Sequence, residues 1–398
     1  LEINVKISKL NDNITPSGTM AISNKARILR EQGKPVIGFG AGEPDFPTPA
    51  HVIEEVKIAS ENPTYHKYSA VGGLSILRDE IARTTKKYSN FDVDPNNVVV
   101  TNGGKQAILT TFMSLLDAGD EVLIPSPYWT TYPEAVKISG GTPVIVDTEF
   151  DNDFKVTVDE LEKKFTKKTK VLVWVSPSNP TGVVYTKEEA EEIFNWAFDK
   201  NIWVLSDELY EHLVYEGVTS PSPATIDKKL EKTIVVNGVA KAYAMTGWRV
   251  GWIIANDDII GLSKKIQSHA TSNVANISQV AAYSALKNGL DSTNEMKKAF
   301  DKRRGFTLDL LKTINNIRVP NATGAFYVFP DVSHYTKGII EKVSTSIDLC
   351  DWLLEKHYIA FVPGEVFGKG GFLRCSYALS DEDLEEGLTR FKDALDSI

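Results

Sequence analysis

The sequence predicts an α/β fold, in which a predominantly parallel sheet is covered by helices. From about residue 95 onward, short runs rich in Val and Ile recur, each nearly continuous in apolarity, as strands buried on both faces should be. Helical periodicity separates several of these runs, which is typical of parallel strands joined by crossover helices. The predicted strands are residues 98–101, 121–124, 143–147, 171–175, 203–206, 233–237 and 250–255.

The helical patterns between the strands lie at residues 106–116 and 187–198. A long charged pattern at residues 290–317 predicts a connecting helix, and a smaller α+β unit is expected beyond it. The expected strands of that unit are residues 326–329, 361–362 and 373–377, and its expected helices are residues 346–355 and 381–395.

Length and composition restrict the class of protein. A chain of 398 residues exceeds one ordinary core, so two domains are expected. We expect the large domain to occupy residues 46–290 and the small one to be built from residues 1–45 and 291–398. The formal net charge of −9 disfavours nucleic acid or an anionic membrane as the main partner. Two cysteines provide neither a disulfide framework nor a Cys₄ metal site. With no apolar run long enough to cross a bilayer and no signal-peptide pattern at the start, a cytoplasmic protein is expected.

Polar residues follow successive predicted strands, at the edge where open α/β sheets bind ligands. Gly103 and Gly104 stand between a strand and a helix, where backbone N–H groups favour an anion such as phosphate. Asp207 and Tyr210 follow another strand. Lys241 follows the next one amid small and apolar residues, where burial lowers the pKa of its amine and makes it nucleophilic.

Each of these features also has a simpler structural explanation: a turn for the glycines, a helix N-cap for Asp207 and a solvated position for Lys241. Asn179 in the turn SPSNPTG and Arg249 beyond Lys241 complete the set. The combination suits pyridoxal 5′-phosphate, which needs a lysine for its aldehyde, a carboxylate for its ring nitrogen and a site for its phosphate. Nucleotide-binding alternatives are disfavoured, because the sequence has neither a Walker A loop nor a GxGxxG match.

The sequence resembles the class I, fold-type I pyridoxal-phosphate aminotransferases of the aspartate aminotransferase type, in blocks that run nearly end to end. The blocks are GAGEPDFPTP, KYSAVGGLSILRDEIA, NGGKQAI, SPYWTTYPE, SPSNPTG, SDELY, AKAYAMTGWRVG, GAFYVFP and LRCSYALS. It is most similar to the bacterial branch that carries GGK in the phosphate loop. The resemblance implies the fold of type I PLP transferases, with a mostly parallel seven-stranded sheet in a large domain and a smaller α+β domain.

The resemblance also implies how the cofactor is held. Lys241 would form the Schiff base with pyridoxal 5′-phosphate and shuttle a proton between the substrate's Cα and C4′ of the cofactor. Asp207 would pair with the ring nitrogen, while Tyr210 and Asn179 would hydrogen-bond the 3-oxygen. The remaining implied contacts are Gly103, Gly104 and Lys105 in the phosphate loop, Arg249 on the phosphate, Trp129 on the ring face and Tyr68 of the partner subunit.

For the substrate, the resemblance implies that the planar fork of Arg374 clamps the α-carboxylate, with Gly42, Asn179 and Trp129 as further contacts. Lys105 would bind the distal carboxylate of a dicarboxylic amino acid; the alternative is that it merely begins a helix facing solvent. The stretch SHATSNVANIS, where other aspartate aminotransferases place a partner arginine, contains none. This increases the dependence on Lys105, with His269 an incidental neighbour.

Two positions depart from the family pattern. Gly238 stands where many relatives have a serine or threonine at the phosphate, so that hydroxyl contact is expected to be missing or replaced by a main-chain N–H. Thr15 stands where relatives that transaminate prephenate have a basic residue, so prephenate activity is not expected.

The implied activity is transfer of the amino group from L-aspartate to 2-oxoglutarate by a ping-pong mechanism, giving oxaloacetate and L-glutamate, in a homodimer with shared active sites. The alternatives on the same fold are an aromatic or broad-specificity aminotransferase and a PLP-dependent β-lyase. A non-catalytic PLP-binding regulator would carry an N-terminal DNA-binding module, for which no room is expected before GEPDF. A nicotinamide oxidoreductase is weaker still, because GxGxxG is missing.

Overall fold

The structure is a computed structural model that describes residues 13–16 and 18–398. The signal-peptide expectation and part of the predicted small domain fall on residues 1–12, outside the described residues, as does Ser17. Within the described ranges, the helices are α1 (Gly18–Glu31), α2 (Ala50–Ser60), α3 (Ser75–Tyr88), α4 (Gly104–Leu115), α5 (Thr131–Ile138), α6 (Val158–Lys164), α7 (Lys187–Asp199), α8 (Asp257–Ala270), α9 (Asn276–Lys287), α10 (Asp291–Lys312), α11 (Ser346–His357) and α12 (Asp381–Asp396).

The strands of the same described ranges form three sheets. They are β1 (Ile37–Gly38), β2 (Val98–Thr101), β3 (Glu121–Ser126), β4 (Thr142–Asp147), β5 (Thr169–Val175), β6 (Trp203–Asp207), β7 (Thr233–Gly238), β8 (Gly251–Ile254), β9 (Tyr327–Val328), β10 (Ile359–Ala360), β11 (Val362–Pro363) and β12 (Leu373–Ser376). The largest sheet has the order β2-β8-β7-β6-β5-β3-β4. Within it β8 is antiparallel to both neighbours and the remaining pairs are parallel. The predicted seven-stranded, mostly parallel sheet is therefore confirmed.

Helices cover both faces of this sheet. Successive residues of β2 show this arrangement, because Val98 and Val100 pack into one hydrophobic cluster while Val99 packs into another. All three are fully buried. Burial on both faces explains why the predicted strands are almost continuously apolar.

Two small sheets lie outside the large one, and the first of them joins a segment near the start of the chain to one near its end. β1 pairs in parallel with β10, and the rings of Phe39 and Phe361 stack with their centroids 4.7 Å apart. The other sheet has the antiparallel order β11-β12-β9. The strand predicted at residues 361–362 is wrong in its bounds, because Phe361 separates two strands that belong to different sheets. The proposed division at residues 45/46 and 290/291 stays a prediction.

Two helix boundaries differ from the prediction for local reasons. α4 begins at Gly104 rather than at residue 106, because Gly103 precedes it with φ +81°, a conformation that glycine adopts without strain. α10 ends at Lys312 rather than at residue 317, and the chain then turns through Asn316 with φ +58°. Across the described ranges, no helix combines the length and apolarity needed to cross a bilayer.

Candidate active site

Residues that follow three neighbouring parallel strands meet at one edge of the large sheet. Asp207 is the last residue of β6, Asn179 lies just beyond β5, and Lys241 lies just beyond β7. The register pairs Val175 with Asp207 and Asp207 with Val236, so the three strands end at the same level. The carboxyl edge that the sequence predicts as the ligand site therefore exists.

The amine of Lys241 is directed into this edge. Its Nζ donates a hydrogen bond to the carbonyl oxygen of Gly42 and lies 5.9 Å from the ring centroid of Tyr210. Loss of water, reinforced by the positive charge of Arg374, lowers the pKa of Lys241 to about 8. The amine is thus more readily neutral and nucleophilic than that of an ordinary solvated lysine, although the ammonium form still predominates at pH 7.

Asp207 is a buried carboxylate with two hydrogen bonds. The hydroxyl of Tyr132 donates to its Oδ2 at 2.7 Å, and the main-chain N–H of Leu209 donates to its Oδ1 at 3.3 Å. Burial raises the pKa of Asp207, and the two hydrogen bonds act in the opposite direction. The chain continues from Asp207 through turns and not through a helix, so the N-cap explanation is wrong.

Two tyrosines belong to the site that the sequence analysis did not single out. Tyr132 on α5 is 1% exposed and holds Asp207. Tyr327 on β9 is fully buried, and its hydroxyl lies 2.9 Å from that of Tyr210. The blocks SPYWTTYPE and GAFYVFP contain both residues, so the signal was present, but nothing local identifies the partner of either hydroxyl.

An anion-binding cradle lies at the N-terminus of α4. A Cβ on Gly103 would lie 2.8 Å from the guanidinium of Arg249, and the φ of +81° at Gly103 favours glycine, so that cation approaches the helix start closely. Arg249 has φ +57°, and its Nη1 donates to the carbonyl of Thr246 at 2.8 Å. A Cβ on Gly104 would lie 3.1 Å from the side chain of Leu209. Free N–H groups at a helix N-terminus beside an arginine form a site for an anion such as phosphate.

Gly238 has no room for the hydroxyl side chain that many relatives carry at this position. A Cβ there would lie 2.9 Å from the carbonyl oxygen of Val250 and 3.0 Å from Cα of Gly251. The N–H of Gly238 donates to the side chain of Asn237 at 2.7 Å. Because that N–H already has a partner, a missing contact is favoured over a main-chain replacement.

Arg374 on β12 lies opposite the sheet edge and is 3% exposed. Its Nη1 donates to Oδ1 of Asn179 at 3.0 Å, and its Nη2 donates to the carbonyl of Gly40 at 2.9 Å. Its Nε is buried without a hydrogen-bond partner, and its guanidinium lies 4.6 Å from the ring centroid of Tyr327. A buried cation with a free donor is suited to a carboxylate ligand.

Lys105 borders a cavity beside the cradle and lies over the ring of Trp129. The Nζ of Lys105 lies 5.4 Å from the ring centroid of Trp129, whose ring contacts Tyr132 edge-on at 5.5 Å. Lys105, Tyr128 and Thr130 are among the residues that line a cavity of about 650 Å³. Partial loss of water and the charge of Arg249 lower the pKa of Lys105. Its ammonium therefore borders a ligand-sized space as well as solvent.

Eleven of the twelve predicted site residues contact one another or contact residues at the same edge of the large sheet. The exception is Tyr68, which is 90% exposed in this single chain. His269 is exposed in the last turn of α8, and its description as an incidental neighbour stays a prediction. The site as a whole combines an amine, a buried acid, an anion cradle and a buried arginine in one cleft.

This arrangement defines an enzyme of the α/β class whose lysine stands at a strand end, and comparisons with known proteins identify the family. The family described as "Aminotransferase class I and II" matches residues 34–391. The chain belongs to this family, so the family predicted from the sequence blocks is confirmed. Its placement in the GGK-bearing branch stays a prediction.

Individual relatives and structures agree with this assignment. An aspartate aminotransferase of Streptomyces avermitilis is 49% identical over 385 residues, covering 96% of this chain and 94% of the relative. A probable aspartate/prephenate aminotransferase of Aquifex aeolicus is 41% identical, covering 97% of each chain. The crystal structure of the aspartate aminotransferase from Rhizobium meliloti superposes with a TM-score of 0.93 at 34% identity, covering 99% of each chain. The predicted fold class is confirmed by this similarity.

Proposed function

We propose that the protein transfers the amino group of L-aspartate to 2-oxoglutarate with pyridoxal 5′-phosphate as cofactor, giving oxaloacetate and L-glutamate. The observation that carries the proposal is the edge of the large sheet, where the amine of Lys241 and the buried acid Asp207 follow neighbouring strands and Asn179 binds Arg374, which has a free donor. The names of the relatives from Streptomyces avermitilis and Rhizobium meliloti support aspartate as the amino donor.

The donor set fits this cofactor. Lys241 offers an amine to its aldehyde and Asp207 a carboxylate to its ring nitrogen, while the Gly103–Arg249 cradle, which a Cβ would fill, matches its phosphate. When bound, the cofactor supplies an electron-withdrawing ring that weakens the bonds at the carbon bearing the amino group. The proposed further contacts are Gly104 and Lys105 at the phosphate loop, Asn179 and Tyr210 at the 3-oxygen, and Trp129 at the ring face.

The side chains of this site then have separate tasks. Arg374, held by Asn179 and by the carbonyl of Gly40, binds the α-carboxylate and fixes the orientation of the substrate. Lys241 accepts and returns a proton at Nζ, which its pKa of about 8 permits near neutral pH. Asp207, stabilised by Tyr132, keeps a proton on the ring nitrogen of the cofactor. The proposed backbone contact of Gly42 lies beside the same amine.

Preference for a dicarboxylic substrate is assigned to Lys105. Its ammonium borders the cavity next to Trp129 and is available to a second carboxylate. Lys137 lines the same cavity but is bound to Glu134 at 2.9 Å, so it serves as a matched control. We expect K105A to lower the preference for aspartate over phenylalanine by about 10-fold, the effect of one hydrogen bond to a charged group. We expect K137A to keep that preference.

The test of the function is an amino-donor screen followed through the visible spectrum of the bound cofactor. Aspartate should bleach the absorption band, and kcat/KM should be higher for aspartate than for phenylalanine, alanine or cysteine. A spectrum that aspartate leaves unchanged would refute the proposal. Equal aspartate and phenylalanine rates before and after K105A would support the aromatic or broad-specificity alternative. Release of a thiol and pyruvate from cysteine-type substrates would support a β-lyase.

Prephenate needs its own assay, because the Aquifex aeolicus relative is named for aspartate and prephenate. Thr15 lines the cavity, and its main-chain N–H donates to Glu134 at 3.0 Å, so a neutral side chain stands where a basic one is used for prephenate. We expect little turnover of the prephenate-derived amino acid, and T15K should increase it. Equal rates with and without the substitution would contradict this assignment.

We further propose a homodimer in the cytoplasm, with each active site completed by the partner and with a large domain at residues 46–290. The 90% exposure of Tyr68 supports this, because its ring is free to reach a neighbouring chain. Mixing K241A with Y68A chains should restore part of the activity, since one of the two hybrid sites is then intact. No rescue from a mixture shown to exchange subunits would count against a shared site.

A further inference from the structure

Residues 40–46, here called the cleft loop, contribute two carbonyl groups to the active site. The carbonyl of Gly40 accepts a hydrogen bond from Nη2 of Arg374 at 2.9 Å. The carbonyl of Gly42 accepts one from Nζ of Lys241. One short stretch of main chain therefore contacts both the proposed carboxylate clamp and the amine.

The same loop also contacts the support of the anion cradle. The carboxylate of Glu43 accepts a hydrogen bond from the hydroxyl of Thr246 at 2.7 Å. The main-chain carbonyl of Thr246 in turn holds Nη1 of Arg249 at 2.8 Å. A displacement of the cleft loop would thus disturb three groups of the site together.

Nothing in the secondary structure holds the cleft loop, because residues 40–46 contain neither helix nor strand. Its side-chain anchor is Arg303 on α10, which is 8% exposed. Nη1 of Arg303 donates to both carboxylate oxygens of Asp45 at 2.9 Å, and its Nε donates to Asp381 at 2.7 Å. Its guanidinium also lies 5.5 Å from the ring centroid of Phe46. The loop is therefore fixed to α10 and to the start of α12.

We propose that Arg303 is a positioning residue for amino transfer: by fixing Asp45 it holds the carbonyls of the cleft loop against Arg374 and Lys241. The effect on enzyme activity that we expect from Arg303 rests on the proposed function. The planar guanidinium makes directed hydrogen bonds to two carboxylates that come from different segments, which a lysine ammonium does not reproduce. A shift of about 1 Å in positioning groups of this kind is enough to lower a rate by about 100-fold.

Arg304 offers a matched control on the same helix. It is 6% exposed and is bound to Glu216 at 2.7 Å and to Asp301 at 2.9 Å. It also donates to the carbonyl of Ala322 at 3.1 Å, and none of these partners belongs to the cleft loop. R303K and R304K therefore make the same chemical change at equally buried positions, but only the first affects the cleft loop.

The experiment compares R303K, D45N, the double variant R303K/D45N and R304K. In the holoenzyme, R303K and D45N should each lower kcat/KM for aspartate by about 10- to 100-fold. R304K should stay close to wild type. The loss of kcat/KM in the double variant should be no larger than the loss in the more impaired single variant, because both substitutions break the same contact.

A second readout does not depend on turnover. In the cofactor-free protein, the rate of reductive methylation of Lys241 is followed against pH by peptide mass spectrometry. Loss of the Gly42 hydrogen bond removes a contact that favours the charged amine, so the midpoint should move to lower pH in R303K and D45N. The midpoint should stay in place in R304K. Melting temperatures of all variants show how much of each effect is loss of stability; D45N carries the test if R303K does not fold.

The outcomes separate this inference from the proposed function. If R303K and R304K lose activity alike, or if the Lys241 midpoint does not move, Arg303 is only structural and the inference fails. If wild-type protein does not act on aspartate while R303K still moves the Lys241 midpoint, the proposed function fails and the positioning role stands. Strictly additive losses in the double variant would also overturn the inference.

Discussion

The two sides of the active-site cleft are built in different ways. The sheet side consists of Asn179, Asp207 and Lys241, which follow parallel strands of one sheet. The terminal side consists of the cleft loop and Arg374. Gly40 and Arg374 are 334 residues apart in the chain, and the hydrogen bond between them joins the two segments. Strand register fixes the first side, whereas the second depends on long-range contacts between the two ends of the chain.

This difference in construction matches a difference in the proposed tasks. The sheet side carries the groups that exchange protons, and a continuous hydrogen-bonded sheet holds them in place. The terminal side carries the group that binds the α-carboxylate, and only side-chain and short-strand contacts hold it. We therefore expect substitutions on the sheet side to lower kcat and substitutions on the terminal side to raise KM.

The largest effect is expected from K241A, on the sheet side. Removing the amine removes the only side chain proposed to move the proton, so the half-reaction with aspartate should slow by about 10²- to 10⁴-fold. Stopped-flow absorbance of the bound cofactor measures this rate, and an unchanged melting curve serves as the control for folding. Full turnover by K241A would refute both the role assigned to Lys241 and the comparison between the two sides of the cleft.

A smaller effect is expected from R374K, on the terminal side. Lysine keeps the charge but loses the fork that Asn179 and Gly40 orient, and hydrogen bonds to charged groups contribute about 1.5–3 kcal/mol. KM for aspartate should rise by about 10- to 100-fold with a smaller change in kcat. Weaker binding of succinate, a dicarboxylate without an amino group, should follow the same trend. A lower kcat at unchanged KM would show that Arg374 acts in the chemical step, and it would contradict the division of tasks between the sheet side and the terminal side.

The same division explains how much of the site could be predicted from the sequence. Asp207 and Lys241 could be located from local pattern alone, because a residue after a buried parallel strand must lie at the carboxyl edge. The role of Arg374 came only from the family resemblance, since nothing near position 374 indicates contact with Gly40. In the fold, the seven strands of the large sheet were predicted, while the separation of strands at Phe361 depends on pairing with distant partners.

The missed tyrosines illustrate the same limit. Tyr132 and Tyr327 are 1% and 0% exposed, so their local patterns are those of ordinary core residues. Their hydroxyl partners, Asp207 and Tyr210, lie 75 and 117 residues away in the chain. Such pairs arise from packing of the finished fold, which no local periodicity encodes.

Y132F tests whether Tyr132, a residue of helix α5, contributes to the function of Asp207 on the sheet side. Without the hydroxyl, Asp207 loses a donor that favours its ionised form, so its pKa should rise further and its hold on the ring nitrogen should weaken. We expect kcat to fall by about 10-fold, the effect of one hydrogen bond to a charged group. The affinity for the cofactor should fall as well, measured by equilibrium dialysis of the cofactor-free protein.

Y185F is the matched control for this change. Tyr185 is also buried, and its hydroxyl accepts a hydrogen bond from the main-chain N–H of Val156 at 2.8 Å, away from Asp207. Y185F should alter stability without changing kcat or cofactor affinity. If the two variants behave alike, the hydroxyl of Tyr132 acts only through packing.

The smallest effect on activity is expected from E208Q, next to Asp207 on the same strand end. Glu208 is 3% exposed and accepts a hydrogen bond from the hydroxyl of Ser206 at 2.8 Å. Burial and the neighbouring charge of Glu211 raise the pKa of Glu208 to about 8 from 4.5. Between these two values the folded protein binds more protons at this carboxyl than the unfolded chain does, so stability falls as pH rises through this range.

Glutamine cannot ionise, so E208Q should remove this pH dependence while preserving the shape of the side chain. The melting temperature of E208Q relative to wild type should rise between pH 5 and pH 8.5, because each unit of pKa shift corresponds to about 1.36 kcal/mol. Activity at pH 7 should stay near wild type, because the protonated acid and the amide are similar in shape and in hydrogen-bonding capacity. A large loss of kcat in E208Q would show that the sheet side extends beyond Asp207, and that position at the strand end alone suffices for a catalytic role.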